Sequence, residues 1–251
     1  MIVPAYLPYY VVAGTAGMTA TFLFGVNSAL RNAGWAAHER TAAVRPVAVT
    51  ILGWLGLTAA LALNDAYRGA ADHLPTIQYG IFLPILIGGF WIWRSPRLAR
   101  IIESVPQHWL VGVQFYRALG AIFLVLYGMG KLPGLFAWPA GLGDVLVGVL
   151  APVIAIAYAR KPDENADLVY AWNLFGLADL IVAVTAGFLT SPSPLQLFAF
   201  EAPNELISAF PLVLVPVYLV PASVLLHFAS LRKLHRDALP EDNRVTARAS
   251  A

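Results

Sequence analysis

"LPTIQYGIFLPILIGGFWIW", residues 74–93, contains no charged side chain. A helix needs about 20 mostly apolar residues to cross the hydrocarbon core of a bilayer. Lipid offers no partner to a free backbone N–H or C=O, so such a run must be helical. The same absence of charge recurs over Met1–Leu30, Pro46–Asn64, Leu180–Phe200 and Leu206–Ser230, with His227 counted as neutral. Across all 251 residues 59% are hydrophobic and 12% are charged. Soluble domains carry about a quarter charged residues, so this chain belongs to the membrane class.

Seven spans are predicted, near 7–29, 46–65, 76–93, 109–130, 139–158, 168–189 and 207–228. They form one all-α transmembrane domain over residues 1–230. Positive charge then sets the orientation. Segments after the first, third, fifth and seventh spans hold three, three, two and five of the 16 Lys and Arg residues, whereas those after the second, fourth and sixth hold one, one and none. Cytoplasmic loops are the ones rich in Lys and Arg. The expected topology is therefore N-terminus outside and C-terminus cytoplasmic. "MIVPAYLPYYVVAG" lacks the basic start of a cleaved signal peptide and is kept as part of a true span. Residues 231–251, ending "RDALPEDNRVTARASA", read as a disordered cytoplasmic tail.

Between spans three and four, "SPRLARIIESVPQ" reads as a short interfacial helix. Ser95 caps it, Pro96 takes its first position, and Leu98, Ile101, Ile102 and Val105 share one face. "KLPGLFAWPAGLG" at 131–143, punctuated by Pro133, Gly134, Pro139 and Gly141, reads as a tight external turn. Gly14, Gly17, Thr21 and Gly25 form a small-residue face on span one, suited to helix packing. Prolines 211, 216 and 221 predict irregularity in span seven.

Three charges lie inside apolar runs. "GLGDVLVGVLA" at 141–151 returns as "GLADLIVAVTA" at 176–186, each copy with a carboxylate, Asp144 and Asp179. Consecutive spans run antiparallel, so this repeat is inverted, as in many transporters with midplane sites. Gly148 and Ala183, four residues after each aspartate, leave room for a neighbouring helix. Arg117 lies near the middle of span four at the same height as Asp179; Asp144 sits about 6 Å further out at 1.5 Å per residue. A lone charge at a helix centre costs roughly 2.5–3.5 kcal/mol. Arg117 is therefore expected to pair with Asp179, Asp144 or both, through the parallel hydrogen bonds a guanidinium makes to carboxylates. Gln114, one turn earlier, shares its face. Asn173, about 9 Å nearer the cytoplasm than Asp179, points some way around its helix.

These five residues, Arg117, Asp144, Asp179, Gln114 and Asn173, are the candidate site. Three functions compete for it: a polar site binding or passing a small solute, ion or proton; an intramembrane enzyme on a lipid or prenyl substrate; and a scaffold in which the charges only dock helices. Glu201, Asn204 and Glu205 lie at the outer mouth of spans six and seven, as vestibule residues or solvated loop positions. His227 reads as an interfacial packing residue, with His38, His73, His108 and His235 in loops, at a span edge or in the tail. No metal ligand pair emerges, and no cofactor is called. Cysteine is absent, which excludes a disulfide framework, Cys-ligated metals and a thiol nucleophile. There is no phosphate loop, H-E-x-x-H helix or G-x-S-x-G elbow. Basic residues follow the topology rule, so the partner is lipid rather than nucleic acid.

"PQHWLVGVQFYRALGAIFLVLYGMGKLPGLFAWPAGLGDVLVGVLAP", "WNLFGLADLIVAV" and "FPLVLVPVYLVPASVLLH", within residues 105–235, resemble a widespread group of bacterial multi-spanning membrane proteins with no assigned activity. The resemblance implies the bacterial cytoplasmic membrane and nothing about mechanism. Seven spans with an outside N-terminus also match the layout of small sugar transporters, but their paired Pro-Gln signature is missing, and layout alone carries no function.

The cysteine-free background makes topology testable. A single cysteine at Lys131 should react with a membrane-impermeant maleimide on intact cells, and one at Arg40 only after permeabilisation. The reverse pattern would invert the assignment.

Overall fold

The computed structural model describes residues 4–72 and 74–237, which are helical apart from turns and loops. Eight helices follow one another: α1 Leu7–Asn32, α2 Ala37–Leu63, α3 Ile77–Arg94, α4 Pro96–Ser104, α5 Gln107–Gly128, α6 Gly134–Arg160, α7 Pro162–Thr190 and α8 Val215–Asp237. All but α4 are long and apolar enough to cross a membrane. Large apolar side chains such as Leu86, Phe90, Val153 and Ile181 point away from the bundle. An aqueous protein would hide a continuous apolar surface of this kind; a bilayer accepts it.

The helices begin where local chemistry favours it. Pro162 opens α7, with Asp163 and Glu164 in the first turn, where acidic side chains complement the helix dipole. Ser95 Oγ accepts from the Leu98 N–H at 3.3 Å and starts α4 as expected. The apolar face of α4 turns inward: Ala99, Ile101, Ile102 and Val105 are buried against the bundle.

The helices overrun the charge-free segments that announce them. α2 starts at Ala37 rather than near 46, with Glu39 Oε2 accepting from the Ala36 N–H at 3.0 Å. The expected external turn over 131–143 is shorter: the chain reverses by Pro133, and Gly134 begins α6. Pro139 falls inside that helix, in its second turn, and has no N–H to give the Leu135 carbonyl.

The largest shift is in the last span, which runs over Val215–Asp237 instead of 207–228. Residues 206–214 make a 3-10 turn and loop, which includes a cis Phe210–Pro211 bond. Residues 231–237, assigned above to a disordered tail, are helix. Leu234 is buried, Lys233 Nζ donates to the Glu103 carbonyl at 2.9 Å, and Arg236 pairs with Glu103. The remainder of that tail, 238–251, lies outside the described residues, as does His73.

Two helices depart from α geometry. In α5, residues Val113–Gly120 are 3-10 helix. In α8, Val215–Leu219 form a π turn. Partners from other helices reach carbonyls at these distortions. Pro221 has no N–H to give Val217, and Trp54 Nε1 of α2 donates to the Val217 carbonyl at 3.1 Å. Tyr116 donates to the Leu219 carbonyl and Tyr10 of α1 to the Leu119 carbonyl, at 3.3 and 2.8 Å. Of the small-residue face on α1, Gly14 abuts Leu119 and Gly25 abuts Trp109, whereas Gly17 meets open space and Thr21 is exposed.

Contacts sort the ends of the bundle into two faces. Tyr6 reaches Met129, and Gly69 lies against Pro192, on the face that holds the 64–72, 129–133 and 191–214 loops. Trp35 bonds Ser104, and Glu103 holds Lys233 and Arg236, on the opposite, α4 face. α6 packs most extensively on α7 and on α5, and that three-helix contact surrounds the buried charges.

Trp54→Phe removes the donor to Val217 and keeps an aromatic ring, though a smaller one. It should lower thermal stability in detergent by about 1–3 kcal/mol, the cost of an unsatisfied buried carbonyl. An unchanged melting temperature would mean the carbonyl finds another partner.

Candidate functional site

The 3-10 stretch of α5 decides which side chains line up. With three residues per turn, positions i and i+3 eclipse. Gln114, Arg117 and Gly120 accordingly form one row and are all buried. The row faces α6, α7 and α8. Arg117 Nε donates to Asp144 Oδ1 at 2.8 Å, and Nη2 donates to Asp179 Oδ2. Arg117 thus pairs with both carboxylates of the repeat. Its side chain is 2% exposed, that of Asp179 7% and that of Asp144 15%, so Asp144 is the member with an open side.

So tight a junction requires missing side chains. A Cβ on Gly143 would collide with the Asp179 carboxylate, and one on Gly148 with the backbone at Ala118. Glycine therefore lets α6 approach α7 at one position and α5 at the other. The expectation for Gly148 holds; Ala183 instead packs in the apolar cluster around Phe123 and Phe136.

Arg117 Nη1 donates to the Gly176 carbonyl at 3.2 Å and to His227 Nε2 at 3.3 Å. A guanidinium has only donors, so His227 Nε2 must accept. The ring proton then sits on Nδ1, which donates to Asn173 Oδ1 at 2.9 Å. Asn173 Nδ2 donates to the Val169 carbonyl at 2.8 Å and to Ser230 Oγ at 2.9 Å. Gln107 Nε2 donates to the same hydroxyl at 2.6 Å. The result is one hydrogen-bonded line from the carboxylates through Arg117, His227, Asn173 and Ser230 to Gln107 at the α4 face. The last four are buried.

Asn173, which appeared to point away from Asp179, joins the site through the histidine. Gln114 stands beside it rather than in it: Nε2 donates to the Ser223 carbonyl at 3.2 Å, and Ser223 Oγ bonds Tyr116. His227, Ser230 and Gln107 were missed. With α8 spanning 215–237, His227 lies near mid-depth and not at an edge. The signal was present in Arg232 and Lys233, which continue the helix instead of ending it. Of the proposed vestibule, Glu201 and Glu205 are exposed, while Asn204 is buried with Nδ2 on Thr190. The described residues hold no group of three or more metal-ligating side chains.

Two cavities meet at Asp144. The larger, about 60 Å³, reaches from Tyr67, Pro75 and Ser191–Ser193 on the loop face to Phe123, Phe136, Leu180 and Asp144. Burial raises the Tyr67 phenol above its ordinary range, so it lines the cavity as a neutral ring. The smaller, about 40 Å³, lies between α1, α5 and α8 and touches both Arg117 and Asp144.

Arg117→Leu leaves two buried carboxylates without a partner. It should cost about 3–5 kcal/mol, the penalty for breaking a buried ion pair from one side. Asp144→Asn keeps Arg117 matched to Asp179 and should cost about 1 kcal/mol, the worth of one hydrogen bond. Thermal unfolding of both variants in detergent checks the order; equal losses would refute it.

Neither the curated proteins nor the solved structures contain a match to this chain. A family described as a domain of unknown function, DUF8737, matches residues 74–235, the segment that holds every residue of the buried polar line. The chain belongs to that family.

Proposed function

We propose that this multi-pass membrane protein takes up one positive charge, a proton or a small cation, at the Asp144–Arg117–Asp179 site, and that this occupancy is its working step. The observation that carries the reading is the charge count. Two carboxylates face one guanidinium, and His227 is held neutral by the bonds it makes. The group is left with a net charge of −1 inside the bundle. Several kcal/mol per ion is the cost of an uncompensated charge in such surroundings. A device that only docks helices needs one carboxylate per guanidinium. The second aspartate is surplus to a lock and suits a site.

Access supports the same reading. Asp144 borders both cavities, and the larger leads to the loop face. Towards the α4 face the line Arg117–His227–Asn173–Ser230–Gln107 fills the space with satisfied polar groups. With the N-terminus outside, as the positive charge implies, the open side is external and the closed side cytoplasmic. We place the protein in the bacterial cytoplasmic membrane on the family resemblance. Alternating exposure of Asp144 to the two faces would pass the bound charge, and a co-bound solute, across the membrane.

Infrared spectroscopy of the protein in lipid tests this. At neutral pH the wild type should show a protonated-carboxyl stretch that sodium either leaves or displaces, which separates a proton from a metal cation. Asp144→Asn and Asp179→Asn each restore a one-to-one pair and should each abolish the band. No such band at any pH at which the protein stays folded, together with no response to sodium, would sink the proposal.

A further inference from the structure

The larger cavity has a chemical character beyond its carboxylate. Its walls carry four aromatic rings, Tyr67, Phe123, Phe136 and Phe188, and Asp144 is the one charged side chain that lines it among the described residues. Phe123 and Phe136 meet edge to face, with centroids 5.2 Å apart. Asp144 Oδ1 is taken by Arg117, whereas no described residue places a donor on Oδ2. That oxygen also keeps some accessible surface, and Asp144 lines both cavities.

Ligand classes separate on these facts. An anion would find no cationic donor, because Arg117 is 2% exposed and spends its nitrogens on Asp144, Asp179, Gly176 and His227. A hard metal cation wants six or more oxygens, and these walls are almost wholly apolar. A weakly hydrated organic cation is attracted by aromatic faces and by a carboxylate together, the combination found in cages for quaternary ammonium groups.

We propose that the cavity binds a compact organic ammonium ion from the loop face, with its charged head at Asp144 Oδ2 and its alkyl groups among Tyr67, Phe123, Phe136 and Phe188. This rests on the site's uptake of one positive charge and names a carrier for it. The ammonium supplies the charge that a proton holds otherwise, so binding releases that proton to solution. Serines 191, 193 and 208 line the same cavity and offer hydroxyls to a polar substituent on the ligand.

Choline and its uncharged carbon isostere, in which carbon replaces the quaternary nitrogen, differ in little but charge. Calorimetry of the full chain in phosphatidylglycerol nanodiscs, which carry no ammonium headgroup, compares the two. Choline should bind at least about ten-fold more tightly, equivalent to about 1.4 kcal/mol. Asp144→Asn should erase the preference. Phe136→Leu, or Phe188→Leu should the first fail to fold, should weaken choline several-fold and leave the isostere unchanged. Equal binding of both compounds would mark an apolar pocket or a seat for a lipid chain and overturn the proposal. So would the absence of choline binding, or a preference that survives Asp144→Asn. If choline fails while the carboxyl band in the infrared spectrum persists, only this inference falls. If the band is missing too, the charge-uptake reading falls with it.

Discussion

One guanidinium between two carboxylates organises this protein. Arg117 can reach Asp144 and Asp179 at once only if α5, α6 and α7 lie unusually close, and their sequences make that possible. Gly143 gives way to the Asp179 carboxylate and Gly148 to the backbone of α5. The local 3-10 winding of α5 keeps Gln114, Arg117 and Gly120 in one row instead of letting them drift around an α-helix. The remaining guanidinium nitrogen then fixes a neutral histidine tautomer, which in turn orients Asn173. Packing, helix irregularity and hydrogen-bond polarity all trace back to satisfying this single cation.

The irregular helices bind the periphery to this centre. Carbonyls at a 3-10 stretch and a π turn in adjacent spans draw side-chain donors from other helices. Tyr10 from α1 and Trp54 from α2 supply two of them. Both helices lie outside the stretch that the family model matches, and α2 buries little beyond Thr58 and Ala62. Tyr10 and Trp54 reach backbone carbonyls of a core whose charges lie on other helices.

Much of this was legible in the sequence because hydrocarbon is an unforgiving solvent. Charge-free runs announce the helices, and the cost of a midplane charge required Arg117 to meet an aspartate. What stayed hidden depended on helix ends and helix winding. Charged turns at Glu39, Arg236 and Lys233 extend helices beyond the apolar run, since the headgroup region tolerates them and tertiary partners secure them. That extension moved the centre of α8, and with it His227, from the edge of the membrane to its middle. Asn173 was misjudged for another reason. Angular bookkeeping along one helix cannot foresee that a histidine from another will bridge the gap.

The buried line is asymmetric, and the asymmetry supports the proposed site over a lock. On the α4 side of Arg117 hydrogen-bonded groups follow one another to Gln107, so the ordered side chains themselves fill the space that solvent would need. On the loop side Asp144 meets an aromatic-walled cavity that offers its second oxygen nothing. A structural ion pair gains by closing equally on both sides, because any opening weakens it through solvent screening. Here the two carboxylates exceed what a single guanidinium needs for neutrality, and the more exposed of them borders both cavities. Charge excess and openness fall in the same group of side chains, and the physics of the buried pair alone gives no reason for that.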